Sequence, residues 1–326
     1  MGPTWYSDVV TRLPSIDAFA AVTRGREVSG ATNDDRESAI ELLMSDDSSK
    51  RDLLLRHRVH GAEWSVIQGK FSSAIKTFMA KGGYGVPATT GELVSVTRQG
   101  GRSKNYDFDG SFLCDSGSQQ KLRIELKRGD SIYDQPQFLQ LYAKAGDMVT
   151  GSVDPYSAWF FDNYITYVAT LAGVTAPTRS EYLMKCFGTD YEVFAHTKLL
   201  YRLDVRGSSV NKRLQALAFT SIDEYLAKLE SDHSLVDLKS IQARLDAQLG
   251  KLFVSWSPDS QDFAVEVFSK ESMALTSSIS TKKRSSGQRS CLVITNQAGQ
   301  PIQALLRWKN HNCLLGPGWQ ISLSSR

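Results

Sequence analysis

Residues 121–129 hold the side chains best placed to do chemistry. Glu125 and Lys127 stand two apart, and apolar Leu122, Ile124 and Leu126 alternate with Arg123, Glu125 and Lys127. This is the period of a strand buried on one face, so the carboxylate and the ammonium project the same way. Gly129 ends the strand. Upstream, residues 105–113 read as its antiparallel partner and carry Asp107 and Asp109, joined through a Gly/Ser-rich turn at 115–120. Pairing the two strands brings Asp107 or Asp109 beside Glu125 and Lys127. Two carboxylates converging next to a lysine suit a hard divalent cation, which takes oxygen ligands, while the lysine steers a water or an anionic oxygen.

An Asp, a short hairpin and a Glu-x-Lys strand resemble the signature of the PD-(D/E)XK nuclease superfamily. The match is Asp109 or Asp107 followed by Glu125-Leu126-Lys127, and it covers less than a third of the chain. The usual Pro before the Asp is missing, because position 108 is Phe, so the choice between the two aspartates stays open. Gly110 and apolar Phe112-Leu113 resemble the family's acidic strand and favour Asp109. The resemblance implies an α/β, restriction-endonuclease-like fold, with a central mixed sheet flanked by helices. It implies Asp109, Glu125 and Lys127 as catalytic residues. A Mg²⁺ or Mn²⁺ ion would sit on Glu63, Asp109, Glu125 and the backbone carbonyl of Leu126. Glu63 matches the acidic residue that many members carry on the helix before the hairpin, and Asp107 and Gln137 are accessory candidates. The implied activity is metal-dependent hydrolysis of phosphodiester bonds by an endonuclease, on DNA in preference to RNA; a homodimer is compatible with it. The rival from another class is a non-catalytic nucleic-acid-binding or assembly protein that keeps the fold without the chemistry.

The elements that must position these residues follow from periodicity. Residues 1–81 read as helical: 6–22, 34–44 and a long stretch at 50–79, where Leu53, Leu54, Val59, Trp64, Ile67, Phe71, Ile75 and Phe78 recur at helical spacing and Gly61 marks a break. Residues 82–150 read as the nuclease core, with a first strand at 92–98, the hairpin, and a helix over 135–142 opened by Pro136. Residues 151–250 form a helical insertion that begins with the aromatic-rich stretch 155–172. Its spacing favours core over base stacking. Residues 251–326 form a strand-rich C-terminal region whose first strands either complete the core sheet or belong to a separate β domain.

With 326 residues, 41% apolar and 22% charged, the composition is that of a globular protein. No run of about 18 apolar residues is present to span a membrane. The four cysteines lack metal-ligand spacing and read as reduced thiols, and the start lacks a signal-peptide layout, so an intracellular location, cytoplasmic or nuclear, is expected. Phosphate-cradling glycine motifs and GxSxG are absent. From Lys270 onward eight Lys and Arg face one acid, Glu271, so this segment carries +7 and the first 269 residues −4. Lys282, Lys283, Arg284 and Arg289 are therefore candidate phosphate contacts for a nucleic-acid partner.

Overall fold

The computed structural model describes residues 33–99, 106–128, 139–142, 148–186, 195–257, 260–308, 312–314 and 317–324. Three helices lead: α1 (Asn33–Leu43), α2 (Ser48–Leu55) and α3 (Gly61–Lys81). Strands β1 (Gly91–Arg98), β2 (Phe108–Cys114), β3 (Gln119–Arg128) and β4 (Leu139–Tyr142) follow. Next come α4 (Tyr156–Ala172), α5 (Arg179–Cys186), α6 (Ala195–Leu203), α7 (Ser209–Ser231) and α8 (Leu238–Asp246). The chain then runs through β5 (Lys251–Ser257), β6 (Asp262–Glu266) and the one-turn α9 (Lys270–Met273). It ends in β7 (Leu275–Lys283), β8 (Arg289–Asn296), β9 (Pro301–Trp308) and β10 (Pro317–Leu323).

The chain divides into two compact units, each made of two separate stretches of chain. One comprises Met1–Ile132 with Gln248–Lys270, the other Tyr133–Ala247 with Glu271–Arg326. Periodicity and composition place boundaries at 81/82, 150/151 and 250/251, whereas the units divide at 132/133, 247/248 and 270/271. Strands β5 and β6 join the sheet of the first unit, whereas β7 to β10 build a sheet with the helical segment of the second.

The sheet of the first unit runs β1-β2-β3-β5-β6, antiparallel throughout except for the parallel β3–β5 pair. It is a mixed sheet with helices. The alternation of β3 is met: Leu122, Ile124 and Leu126 are buried in one core with Phe108, Phe112, Leu252, Val254 and Trp256. Helix α3 covers this core with Trp64, Ile67, Phe71, Ile75 and Met79, spaced three or four apart so that they line one face. The long stretch expected at 50–79 breaks just before Gly61, as expected, into two helices; Val59 lies in the turn between them and, like Leu53, is exposed rather than part of the buried stripe. Gly61 opens α3 hard against the end of α2, where a Cβ would lie 2.3 Å from the Leu55 carbonyl oxygen.

The second sheet, β4-β10-β9-β8-β7, is wholly antiparallel. Residues 135–142 were expected to be helical, but Leu139–Tyr142 pairs with β10 as a strand. Local helical signals lost there to a row of backbone hydrogen bonds offered by β10. The aromatic stretch is core: Tyr156 and Phe160 of α4 are buried, and Phe160 packs edge-to-face on Trp308 at 4.8 Å. The Tyr156 hydroxyl lies 2.9 Å from the Ser221 hydroxyl and accepts from the Trp308 indole N–H at 3.2 Å. Among the described residues, no helix is long and apolar enough to cross a membrane. The helix expected over 6–22 lies outside the described residues.

Candidate functional site

The register of β2 on β3 decides which aspartate meets Glu125. Phe108 pairs with Ile124 and Asp109 with Arg123, so the position opposite Glu125 is 107. Asp107 lies just before β2 and is clamped onto β3 from both sides. Its N–H donates to the Ile124 carbonyl at 3.0 Å, and its Oδ2 accepts the Leu126 N–H at 2.8 Å. The carboxylate thus stands in for the strand that β2 no longer supplies, satisfying a backbone donor that would otherwise be orphaned. Asp109, the aspartate favoured on sequence, takes a hydrogen bond from the Tyr106 hydroxyl at 2.8 Å, one pleat away from Glu125. Period 2 puts both aspartates on one face, and the pairing register brings 107 to the glutamate.

Glu125 is 6% exposed and holds two ammonium groups. Lys127 bonds Oε1, as the two-residue spacing implies, and Lys251 Nζ lies 2.6 Å from Oε2. Lys251 was not among the sequence candidates. It opens β5, whose seven residues are all buried, and it follows Gly250, which turns the chain into the strand at φ 70. Parallel pairing sets Lys251 beside Arg123 and Ser255 beside Lys127, so Lys251, Phe253 and Ser255 share the face of Glu125 and Lys127. The only hint of this lysine in the sequence is a cation at the head of an apolar strand. The Lys251 side chain is 0% exposed, and a fully buried lysine requires a partner.

The ionisation of the cluster follows from burial and from these neighbours. Burial and the adjacent Glu125 charge raise the Asp107 carboxyl from 3.8 to about 6, against the opposing pull of Lys127 and Lys251. Burial also pushes Glu125 upward, but Lys127 and Lys251 outweigh it and hold this carboxyl below its ordinary value. Burial lowers the Lys251 ammonium by more than Glu125 restores. One carboxylate is therefore firmly ionised, and the other is ionised at a cost.

The remaining candidates are placed as follows. Leu126 is buried between the two functional side chains. Glu63 sits in the first turn of α3 and pairs with His60 at 3.1 Å. It does not join the carboxylates: among the described residues no three His, Cys, Asp or Glu side chains gather as a metal-binding group. Gln137 lies outside the described residues. The residues that fit a divalent ion are thus Asp107, Glu125 and the Leu126 carbonyl, a hard oxygen set of the kind such cations take. Asp107, disfavoured as an anion by burial and then by its neighbour Glu125, is a group whose charge a cation would relieve.

The basic quartet is not one free patch. Arg289 is bonded to Asp223 at 3.0 Å and to Glu230 at 2.7 Å, both on α7. Arg284 stacks over the Phe219 ring at 4.2 Å and is lowered by burial. Lys282 reaches Gln303 at 3.4 Å, and Lys283 is exposed at the end of β7. The segment around 281–290 is a hairpin of β7 and β8 whose arginines pack on α7 and whose lysines face outward. No family model matches the chain, and neither a curated protein nor a solved structure matches it.

Proposed function

We propose that this chain is a metal-dependent nuclease that hydrolyses phosphodiester bonds through Asp107, Glu125 and Lys127, with DNA the leading substrate over RNA. One observation carries the reading: two carboxylates are held together at the ends of paired strands, beside a lysine that emerges on the same face. Asp107, Glu125 and the Leu126 carbonyl would hold a Mg²⁺ or Mn²⁺ ion. When bound, that ion supplies Lewis-acid polarisation of the phosphate and a water of lowered pKa. The Leu126 N–H orients the Asp107 carboxylate, and Lys251 orients that of Glu125. Lys127 contributes a positive charge beside the carboxylates, placed to orient a water or to stabilise negative charge developing on phosphate oxygens.

A specific observation favours the rival. Asp107, Glu125, Lys127 and Lys251 already balance to zero charge, so the four form a complete buried ion cluster in a protein that keeps the architecture without catalysis. The test uses the full chain on a mixed DNA and RNA panel with Mg²⁺ or Mn²⁺, alongside calorimetric titration of each ion. Cleavage should appear with either ion and fall by at least about 100-fold in Glu125→Gln and Lys127→Ala. Folded protein that takes up neither ion and cuts nothing would establish the ion-cluster reading.

A further inference from the structure

The two lysines on Glu125 are not equivalent. The Lys251 side chain is 0% exposed, is donated by a different strand and is fixed on Oε2 at 2.6 Å. Lys127 lies at the other end of the carboxylate, on Oε1, with 12% of its side chain exposed. A cation approaching Glu125 meets Lys127, because moving Lys251 would strip a buried ammonium of its carboxylate. A second observation concerns where Lys127 would go. Its cross-strand neighbour Ser255 is fully buried, and its hydroxyl has no hydrogen-bond partner among the described residues. Adjacent strands lie about 4.8 Å apart, and paired residues project from the same face, so that hydroxyl is within reach of a lysine side chain. Leaving a buried hydroxyl unpaired is costly, and an ammonium with three donors satisfies it directly.

We propose that Lys251 is the fixed partner of Glu125 and Lys127 the exchangeable one: a divalent cation displaces the Lys127 ammonium from Oε1 toward Ser255 Oγ. Lys127 then faces the site as a charge no longer neutralised by Glu125, available to a phosphate oxygen. The same exchange explains why a neutral four-charge cluster is compatible with a cation: the ion arrives where an ammonium leaves. The inference rests on the cation-dependent reading above and extends it by assigning a resting and an active position to one side chain.

Lysine acylation read by mass spectrometry on the full, unsubstituted chain tests this, with Mn²⁺ as the probe and calorimetry on the same sample. Release from a charge-assisted bond should raise Lys127 labelling about tenfold on Mn²⁺ addition, the equivalent of about 1.4 kcal/mol. Lys251 should stay unlabelled in both conditions. Mn²⁺ binding with Lys127 labelling unchanged, or with Lys251 becoming labelled, would overturn the division of roles and leave the nuclease reading standing. Absence of any heat of Mn²⁺ binding would overturn both.

Discussion

Replacing Asp107 by Asn separates the site's chemistry from the fold's stability. Asn keeps a carbonyl oxygen for the Leu126 N–H at Asp107's position, so the clamp on β3 survives while the charge beside Glu125 disappears. In the folded protein, burial and Glu125 raise the Asp107 carboxyl from 3.8 to about 6. The sign follows by linkage. Between these values the folded state binds more protons than the unfolded state, so native stability falls as pH rises through the window. Below the unfolded value the aspartate is protonated in both states and costs nothing. Above about pH 6 the full penalty is present, about 3 kcal/mol at about 1.36 kcal/mol per pH unit. Asp107→Asn should therefore be nearly neutral at about pH 4 and stabilising by up to about 3 kcal/mol at about pH 7.5. The same variant should lose cleavage and divalent-ion binding. Urea unfolding of both proteins across this range measures the difference from the midpoints at constant slope. A variant that is less stable than the parent at neutral pH, or a difference that does not change with pH, would refute the reasoning.

Two further outcomes test the second unit. Tyr156→Phe removes the acceptor of the buried Trp308 N–H and the partner of the Ser221 hydroxyl, so it should cost about 1–3 kcal/mol in chemical unfolding. Arg289→Ala breaks a two-acid pairing to α7 and should cost about 1 kcal/mol, whereas exposed Lys283→Ala should stay within about 0.5 kcal/mol. If the paired arginine instead contacts phosphates, Arg289→Ala will flatten the salt dependence of nucleic-acid binding by about one unit of log–log slope with little change in stability.

The parts of the fold that were legible in the sequence are those written in local periodicity. The alternation over 121–127 and the spacing of Trp64, Ile67, Phe71 and Ile75 each name a buried face, and these residues are buried, whereas Leu53 and Val59, read into the same helical stripe, are exposed. What was not legible depends on pairings that no local window contains. Asp107 and Asp109 share a strand face, so alternation cannot choose between them; only the registration of Phe108 on Ile124 does. Lys251 reaches Glu125 across the parallel β3–β5 pair, whose partners have no proximity in sequence. Strand β7 carries no clear apolar alternation, because most of its residues are exposed and it is rich in Ser, Thr and Lys, the composition of a solvated segment. It is held as a strand by β8.

The separation between Glu125 and Lys251 along the chain is 126 residues. A ribosome therefore delivers Asp107, Glu125 and Lys127 long before the lysine that fixes Glu125 and the strand that continues their sheet. Throughout that interval β3 has no β5 beside it. The hairpin of β2 and β3 must wait as an unpaired edge while the whole of Tyr133–Ala247 emerges. Closing so long a loop adds to the chain-entropy cost before the contact returns anything, which makes docking of β5 a late and slow event in folding. The lysine in position on Glu125 is thus also a timestamp: a chain in which it is paired has already set β5 beside β3, with β6 alone left to add to that sheet.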